Sequence, residues 1–338
     1  MQVINGLFDH CVLQRTKQNK SDAVIDGVCD TDGQVTATVS SAGRVLKGFS
    51  EIRAGKAMNG EFSARLRGIP AGGPYDILLT VGAEAVVVKD VCVGDVWLLG
   101  GQSNMQGLGL LKDAMKPNRL VRAFYMTDEW GIAKDPLHRL DLAVDNVHIR
   151  LRGGRQKPDP KTGVGPGLPF ALEQFKRTKV PQGVIACAHG GTSMAQWDPK
   201  LKKLKGDSLY GAMIRRLVKN GGKVAGLIWY QGEGDANANA SRVYTAKMKE
   251  LIAALRRDAK LPAMPVAIVQ ISRHVINPTS AACDWNSVQD QERRLPKVIK
   301  NLATVPAIDL TLDDGIHISG RGHIVLGARL ADAMQWLI

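Results

Sequence analysis

Two rhythms of apolar and polar positions divide the chain. Up to about residue 92 they alternate in short runs, CVLQR, AVIDGVC, QVTATVSS, EFSARL, YDILLTV and AVVVKDVCV, separated by DTDG, SAGR and PAGGP. Period-two alternation rich in β-branched residues predicts half-buried strands, and no helical spacing interrupts it, so residues 1–92 are expected to form a small antiparallel β-sandwich. From about residue 93 the apolar runs become continuous: DVWLLG (95–100), QGVIACA (182–188), VAGLIWY (224–230), PVAIVQIS (265–272) and ATVPAIDL (303–310). A strand covered on both faces has this pattern. Helical stripes lie between and after the runs, with Tyr244, Met248, Leu251, Ile252 and Leu255 on one face, and Leu326, Leu330, Met334 and Leu337 on another. The expected fold class is therefore α/β: a three-layer α/β/α sandwich around a parallel sheet over 93–338, preceded by the small β-rich region.

Ligands of such sheets sit beyond the carboxyl ends of the strands. There the chain places Gly101-Gln102-Ser103-Asn104-Met105, then His189-Gly190-Gly191-Thr192-Ser193, then Gln231-Gly232-Glu233, and finally Asp313-Asp314-Gly315-Ile316-His317 ahead of the last helix. One serine, several glycines, an amide and an Asp/His pair thus converge on one rim, which is the inventory of acyl transfer. A serine hydroxyl attacks a carbonyl only when an imidazole takes its proton, and a carboxylate must orient that imidazole. Ser103, His317 and Asp314 fill these places, with Asp313 a one-residue alternative to Asp314. The developing oxyanion needs preorganised donors, and the backbone N–H groups of Ser103 and Gly191 with the side-chain amide of Gln231 are the candidates. His189 is a rim position, His323 a packing or supporting histidine, and Trp197 either a stacking platform for a sugar or a cover for the sheet.

Composition narrows the partners. The 338 residues carry a formal net charge of +13, but the charge is dispersed apart from RLRGGRQK (150–157) and KLKKLK (200–205). Neither cluster has interleaved aromatics, so nucleic acid is not an expected partner, while attraction of an anionic glycan stays open. The odd set Cys11, Cys29, Cys92, Cys187 and Cys283 contains no C-x-x-C pair and reads as buried thiols. No apolar stretch reaches eighteen residues, so no membrane span is expected. The start, MQVINGLFDHCVLQR, lacks the features of a signal peptide, so either the chain stays inside or a leader preceded Met1. Histidines at metal-ligand spacing, phosphate-binding glycine loops and the G-x-S-x-G elbow are all absent from the sequence. The segment 108–162 is long enough to wall one side of the pocket.

Five ordered blocks, GDVWLLGGQSNMQG, GVGPGLPFA (163–171), HGGTSMAQW, LIWYQGEGDA and DDGIHISGRGH, resemble those of the SGNH/GDSL hydrolase superfamily, in particular its carbohydrate O-acetylesterase branch of sialate O-acetylesterases and plant-type acetyl esterases. The lead-in FDHCVLQR and IPAGGPYDILLTV is similar to the β-rich start of sialate O-acetylesterase-like proteins. The resemblance implies Ser103 as nucleophile, His317 as base, Asp314 as orienting acid, and Ser103, Gly191 and Gln231 around the oxyanion. Gly190 is the adjacent choice for the glycine donor, and Asn104 and Glu233 are supporting residues, Glu233 bracing the serine loop. It implies no cofactor and no metal, an acetylated sugar or polysaccharide such as xylan or a sialic acid glycan as substrate, and a secreted or periplasmic setting. Cys11 replaces a frequent methionine, and Gly234-Asp235 follows Q-G-E where serine or asparagine is frequent; both bear on substrate subtype. A broad short-chain carboxylesterase and an inactive glycan-binding relative are the competing expectations.

Overall fold

The computed structural model describes residues 1–274 and 281–338, the side chains of 281–283 excepted, so the Cys283 thiol lies outside the described residues. One strand, Glu84–Gly101, ties the molecule together. Its first part pairs antiparallel with Gly72–Val81, and its second part lies between the parallel strands Gln182–Ala186 and Gly226–Tyr230. Along it, burial passes from partial and alternating to unbroken, so the sequence change near residue 92 falls inside a strand rather than in a linker.

Before this strand, the antiparallel order is Gln2–Asn5, Lys20–Val28, Glu61–Pro70, Ile52–Met58, Gly33–Ser41 and Gly72–Val81. The ladders form one continuous path. Alternation explains how a single path makes a core: Ile25, Val35, Val39, Leu66, Ile77 and Leu79 are fully buried, while their neighbours along each strand face outward.

The second region is α/β with a mixed sheet. Its parallel strands run in the order Val121–Phe124, Gln182–Ala186, Glu84–Gly101, Gly226–Tyr230, Val266–Gln270 and Leu302–Pro306, with Trp130–Ile132 antiparallel at one edge. Gln182–Ala186 and Gly226–Tyr230 are buried at every position, so both faces of the sheet centre are covered. Val121–Phe124 was not expected from the sequence, because Arg122 interrupts its apolar run; the arginine is buried and pairs with Asp90 at 2.9 Å. The last strand ends at Pro306, short of the expected 310, and the chain then turns toward the Asp/His segment.

Seven α-helices accompany the strands among the described residues: α1 (Ser103–Gln106), α2 (Asn146–Leu151), α3 (Gly167–Thr178), α4 (Leu209–Lys219), α5 (Tyr244–Asp258), α6 (Ala281–Val298) and α7 (Gly320–Gln335). The α5 stripe expected from periodicity is buried, as are Leu326, Leu330 and Met334 of α7. Ser208 and Ser319 cap α4 and α7, their hydroxyls accepting the N–H of Gly211 and Gly322 at 3.1 Å each. From the central strand the chain builds first toward Val121–Phe124 and then, after Gln182–Ala186, toward Leu302–Pro306; the order reverses at the central strand, and Ser103 stands at its carboxyl end.

Candidate active site

Gly101 explains the glycine pair before the serine. Its φ is +129°, and a Cβ there would lie 2.0 Å from the Tyr230 carbonyl oxygen, so only glycine lets the central strand end so close to its neighbour. The turn that follows starts α1 at Ser103. The hydroxyl of Ser103 lies 3.0 Å from His317 Nε2, and His317 Nδ1 lies 2.7 Å from Asp314 Oδ2. The other Asp314 oxygen accepts the backbone N–H groups of Ile316 and His317 at 2.8 and 2.6 Å, which fixes the carboxylate beneath the ring. Burial raises the Asp314 pKa, but these bonds and the His317 side chain outweigh it and hold the carboxyl below its usual range. Asp313 turns away: its carboxylate accepts the N–H of Leu110 at 3.1 Å.

Asn104 joins the two segments. Its amide nitrogen donates to Glu233 Oε1 at 2.8 Å and to the Ile316 carbonyl at 3.3 Å, while its Oδ1 accepts the Ile318 N–H at 2.9 Å. The residue after the serine therefore holds the loop that carries the histidine. Burial pushes the Glu233 carboxyl up, against the bond from Asn104.

The two glycine candidates separate by their partners. Gly190 donates its N–H to Gln106 Oε1 at 2.8 Å, whereas Gly191, at φ +68°, makes no such bond among the described residues and is exposed at the rim. Gln231 departs from expectation. Fully buried, its amide nitrogen donates to the Thr192 carbonyl at 3.1 Å and to Asp235 Oδ2 at 2.6 Å, so it braces the glycine loop from behind and is not free to meet an oxyanion. Asp235 also accepts the Met194 N–H at 2.8 Å, and Trp197 donates to Thr192 Oγ1 at 3.0 Å. Trp197 is completely buried against Trp229 and offers no face to a sugar. His323 is likewise fully buried, and burial drives its pKa down to about 3.

Ser103 and His317 open into a cavity of about 510 Å³. Its wall includes Gln106, Leu108, Leu140, Leu151, Arg152 and His189, so 108–162 does form one side. A larger hollow of about 700 Å³ lies at the opposite, amino-terminal end of the strands, where the Arg15–Asp95 ion pair closes at 2.8 Å, and among the described residues no nucleophile-base pair lines it. Sequence reasoning passed over Gln106, His148 and Arg152, and took Asp235 only as a mark of substrate subtype. Gln106 carried a signal, since it sits three residues after Ser103 on the same short helix; the others are brought in by tertiary packing.

Residues 93–336 match the family model for the sialic acid-specific acetylesterase (SASA) carbohydrate esterases. The chain belongs to that family. A probable carbohydrate esterase of Arabidopsis thaliana is 28% identical over 261 residues, covering 70% of this chain and 89% of that protein. Human sialate O-acetylesterase is 25% identical over 268 residues, covering 70% of this chain and 50% of its own length. In fold, the chain is similar to a carbohydrate acetylesterase from Xanthomonas citri, with a TM-score of 0.72 at 23% identity over 99% of this chain and 74% of that one. The SASA esterases are hydrolases, and an acetylated sugar is the kind of substrate that membership suggests.

Proposed function

We propose that this SASA family member is a serine esterase that removes O-acetyl groups from a carbohydrate through an acetyl-serine intermediate. The observation that carries the reading is the unbroken chain Asp314–His317–Ser103 at the mouth of the cavity, with contacts of 2.7 and 3.0 Å. Asp314 accepts from Nδ1 and leaves Nε2 with a lone pair toward the hydroxyl. Ser103 loses its proton to His317 as Oγ attacks the acetyl carbonyl, and the N–H groups of Ser103 and Gly191 receive the oxyanion. His317 then protonates the departing sugar oxygen, which leaves as the hydroxyl, and a water activated by the same ring releases acetate. In this reading Gln231 and Asn104 are positioning residues, the former for the Gly191 loop and the latter for the histidine loop. Residues 1–92 act as a β-rich support for a three-layer catalytic region, 93–338.

Fluorophosphonate labelling tests the activated serine, and acetate release from acetylated xylan and acetylated sialic acid tests the substrate. The expected result is labelling of wild type, none of Ser103→Ala, and release of acetate from at least one glycan. A wild-type protein that stays unlabelled removes the proposal. Preference for synthetic short-chain esters over every glycan would favour a broad carboxylesterase instead.

A further inference from the structure

A carboxyl is sealed beneath the Gln231-Gly232-Glu233 turn. Glu292 of α6 is fully buried, and a Cβ on Gly232 would lie 2.6 Å from its Oε1, so the acid packs directly against the turn. Its Oε2 accepts the backbone N–H of Ile271 at 2.8 Å. Its Oε1 lies 3.1 Å from the hydroxyl of Tyr244, the first residue of α5, and that hydroxyl lies 2.6 Å from the Gln231 carbonyl oxygen.

The phenol has a single O–H and the carbonyl only accepts, so the shorter contact takes the Tyr244 hydrogen. The Tyr244 oxygen then meets Glu292 Oε1 favourably only as an acceptor, which requires a hydrogen on the carboxyl. Oε2 is occupied by the Ile271 N–H, so that hydrogen sits on Oε1, and donation runs from Glu292 to Tyr244 to the Gln231 carbonyl. An ionised Glu292 would set two acceptors against one hydrogen, in a sealed place where no arginine, lysine or histidine bonds it among the described residues. The titratable groups around it act in the same direction. Glu233, across Gly232, has one oxygen bonded by Asn104 and the other buried without a partner among the described residues, and its charge disfavours a second one on Glu292. The charge of Asp235 bears on Tyr244, that of His317 on Glu233, and that of Glu292 on the Tyr230 phenol at the strand end. Burial, the largest influence, drives the Glu292 carboxyl well above its usual range. The carbonyl that Tyr244 holds belongs to the residue whose side chain braces the Gly191 loop.

We propose that Glu292 is a positioning residue that works as an uncharged acid, its hydrogen holding Tyr244 on the Gln231 carbonyl and so fixing the brace of the Gly191 loop. The kinetic part rests on the esterase reading above. Glu292→Gln keeps a donor for Tyr244 and an acceptor for Ile271, whereas Glu292→Leu fills similar space with neither. On an aryl acetate, Glu292→Leu and Tyr244→Phe should each lower kcat by about three- to tenfold, the worth of about one hydrogen bond, with KM little changed, and Glu292→Gln should keep kcat near wild type. If Glu292→Leu does not fold, Tyr244→Phe and Glu292→Gln carry the comparison. A carboxyl protonated in the folded state and ionised in the unfolded chain stabilises less as pH rises above about 4, so the melting temperature of Glu292→Gln relative to wild type should climb between pH 5 and pH 8. The infrared spectrum of wild type at pH 7 should contain a protonated-carboxyl C=O band that Glu292→Gln lacks and Asp135→Asn retains. An unchanged kcat in Tyr244→Phe, or a loss in Glu292→Gln as large as in Tyr244→Phe, would overturn the positioning role. A melting difference independent of pH, or an infrared spectrum unchanged in Glu292→Gln, would overturn the uncharged acid. These two measurements need no turnover, so if the serine is not labelled and no acetyl ester is hydrolysed, the esterase reading fails while the protonation of Glu292 is still decided.

Discussion

At the scale of single residues, each candidate group is defined by what its hydrogen bonds leave free. Ser103 and His317 have their reactive atoms turned toward each other, whereas Gln231, Asn104 and Gly190 have theirs committed elsewhere. Ser103→Ala and His317→Ala should each lower kcat on an aryl acetate by about 10⁴-fold or more while the circular dichroism spectrum stays native. Activity near wild type in either variant would be incompatible with the mechanism. Gln231→Met leaves Asp235 and the Thr192 carbonyl short of a donor in a sealed place, so we expect a loss of about 1–3 kcal/mol in urea denaturation. Unchanged stability would show that the brace is dispensable.

At the scale of elements, the cavity wall is anchored by an ion-pair cluster beside its small apolar core of Met126, Leu140 and Ala143. The segment between Val121–Phe124 and α2 is pinned to α4 by two arginines. Arg215 pairs with Asp128 at 2.6 Å and also with Asp145, and Arg216, fully buried, bonds Asp128 and the carbonyls of Phe124, Tyr125 and Ala186. Burial works to raise the Asp128 pKa, yet the two arginines and Lys219 hold it below its usual value. Removing one partner of such a cluster strands charge in the interior, typically at about 3–5 kcal/mol. Arg216→Met should therefore lower the melting temperature and loosen the 108–162 wall, which limited proteolysis would register as earlier cleavage there than in wild type. Equal melting curves would rule this anchoring out.

At the scale of the whole molecule, buried ionisable groups away from the site shape the dependence of stability on pH. Burial raises the Asp135 carboxyl to about 8. A carboxyl whose folded pKa lies above its unfolded value binds more protons folded than unfolded, so its contribution to stability falls as pH rises from about 4 to 8 and is constant beyond. Asp135→Asn removes this linkage. Its melting temperature relative to wild type should increase between pH 5 and pH 8, and a difference independent of pH would refute the assignment.

Much of this was legible in the chain itself. Alternation marked the β-rich start, continuous apolar runs marked the buried parallel strands, and the chemistry-bearing residues fell directly after those runs, because a parallel sheet presents all its carboxyl ends on one side. Neighbouring atoms were also readable where sequence separation is short: Asp314 and His317 are three residues apart, and their contact is local. Contacts across long separations were not. Whether Gln231 faces a substrate or the back of a loop depends on the Thr192 carbonyl and Asp235, and whether a lone arginine such as Arg122 interrupts or joins a strand depends on Asp90. Residue type and spacing set which groups arrive at the rim; tertiary packing alone decided which of their donors and acceptors were already used, because a hydrogen bond is exhausted by partners that the sequence does not place side by side.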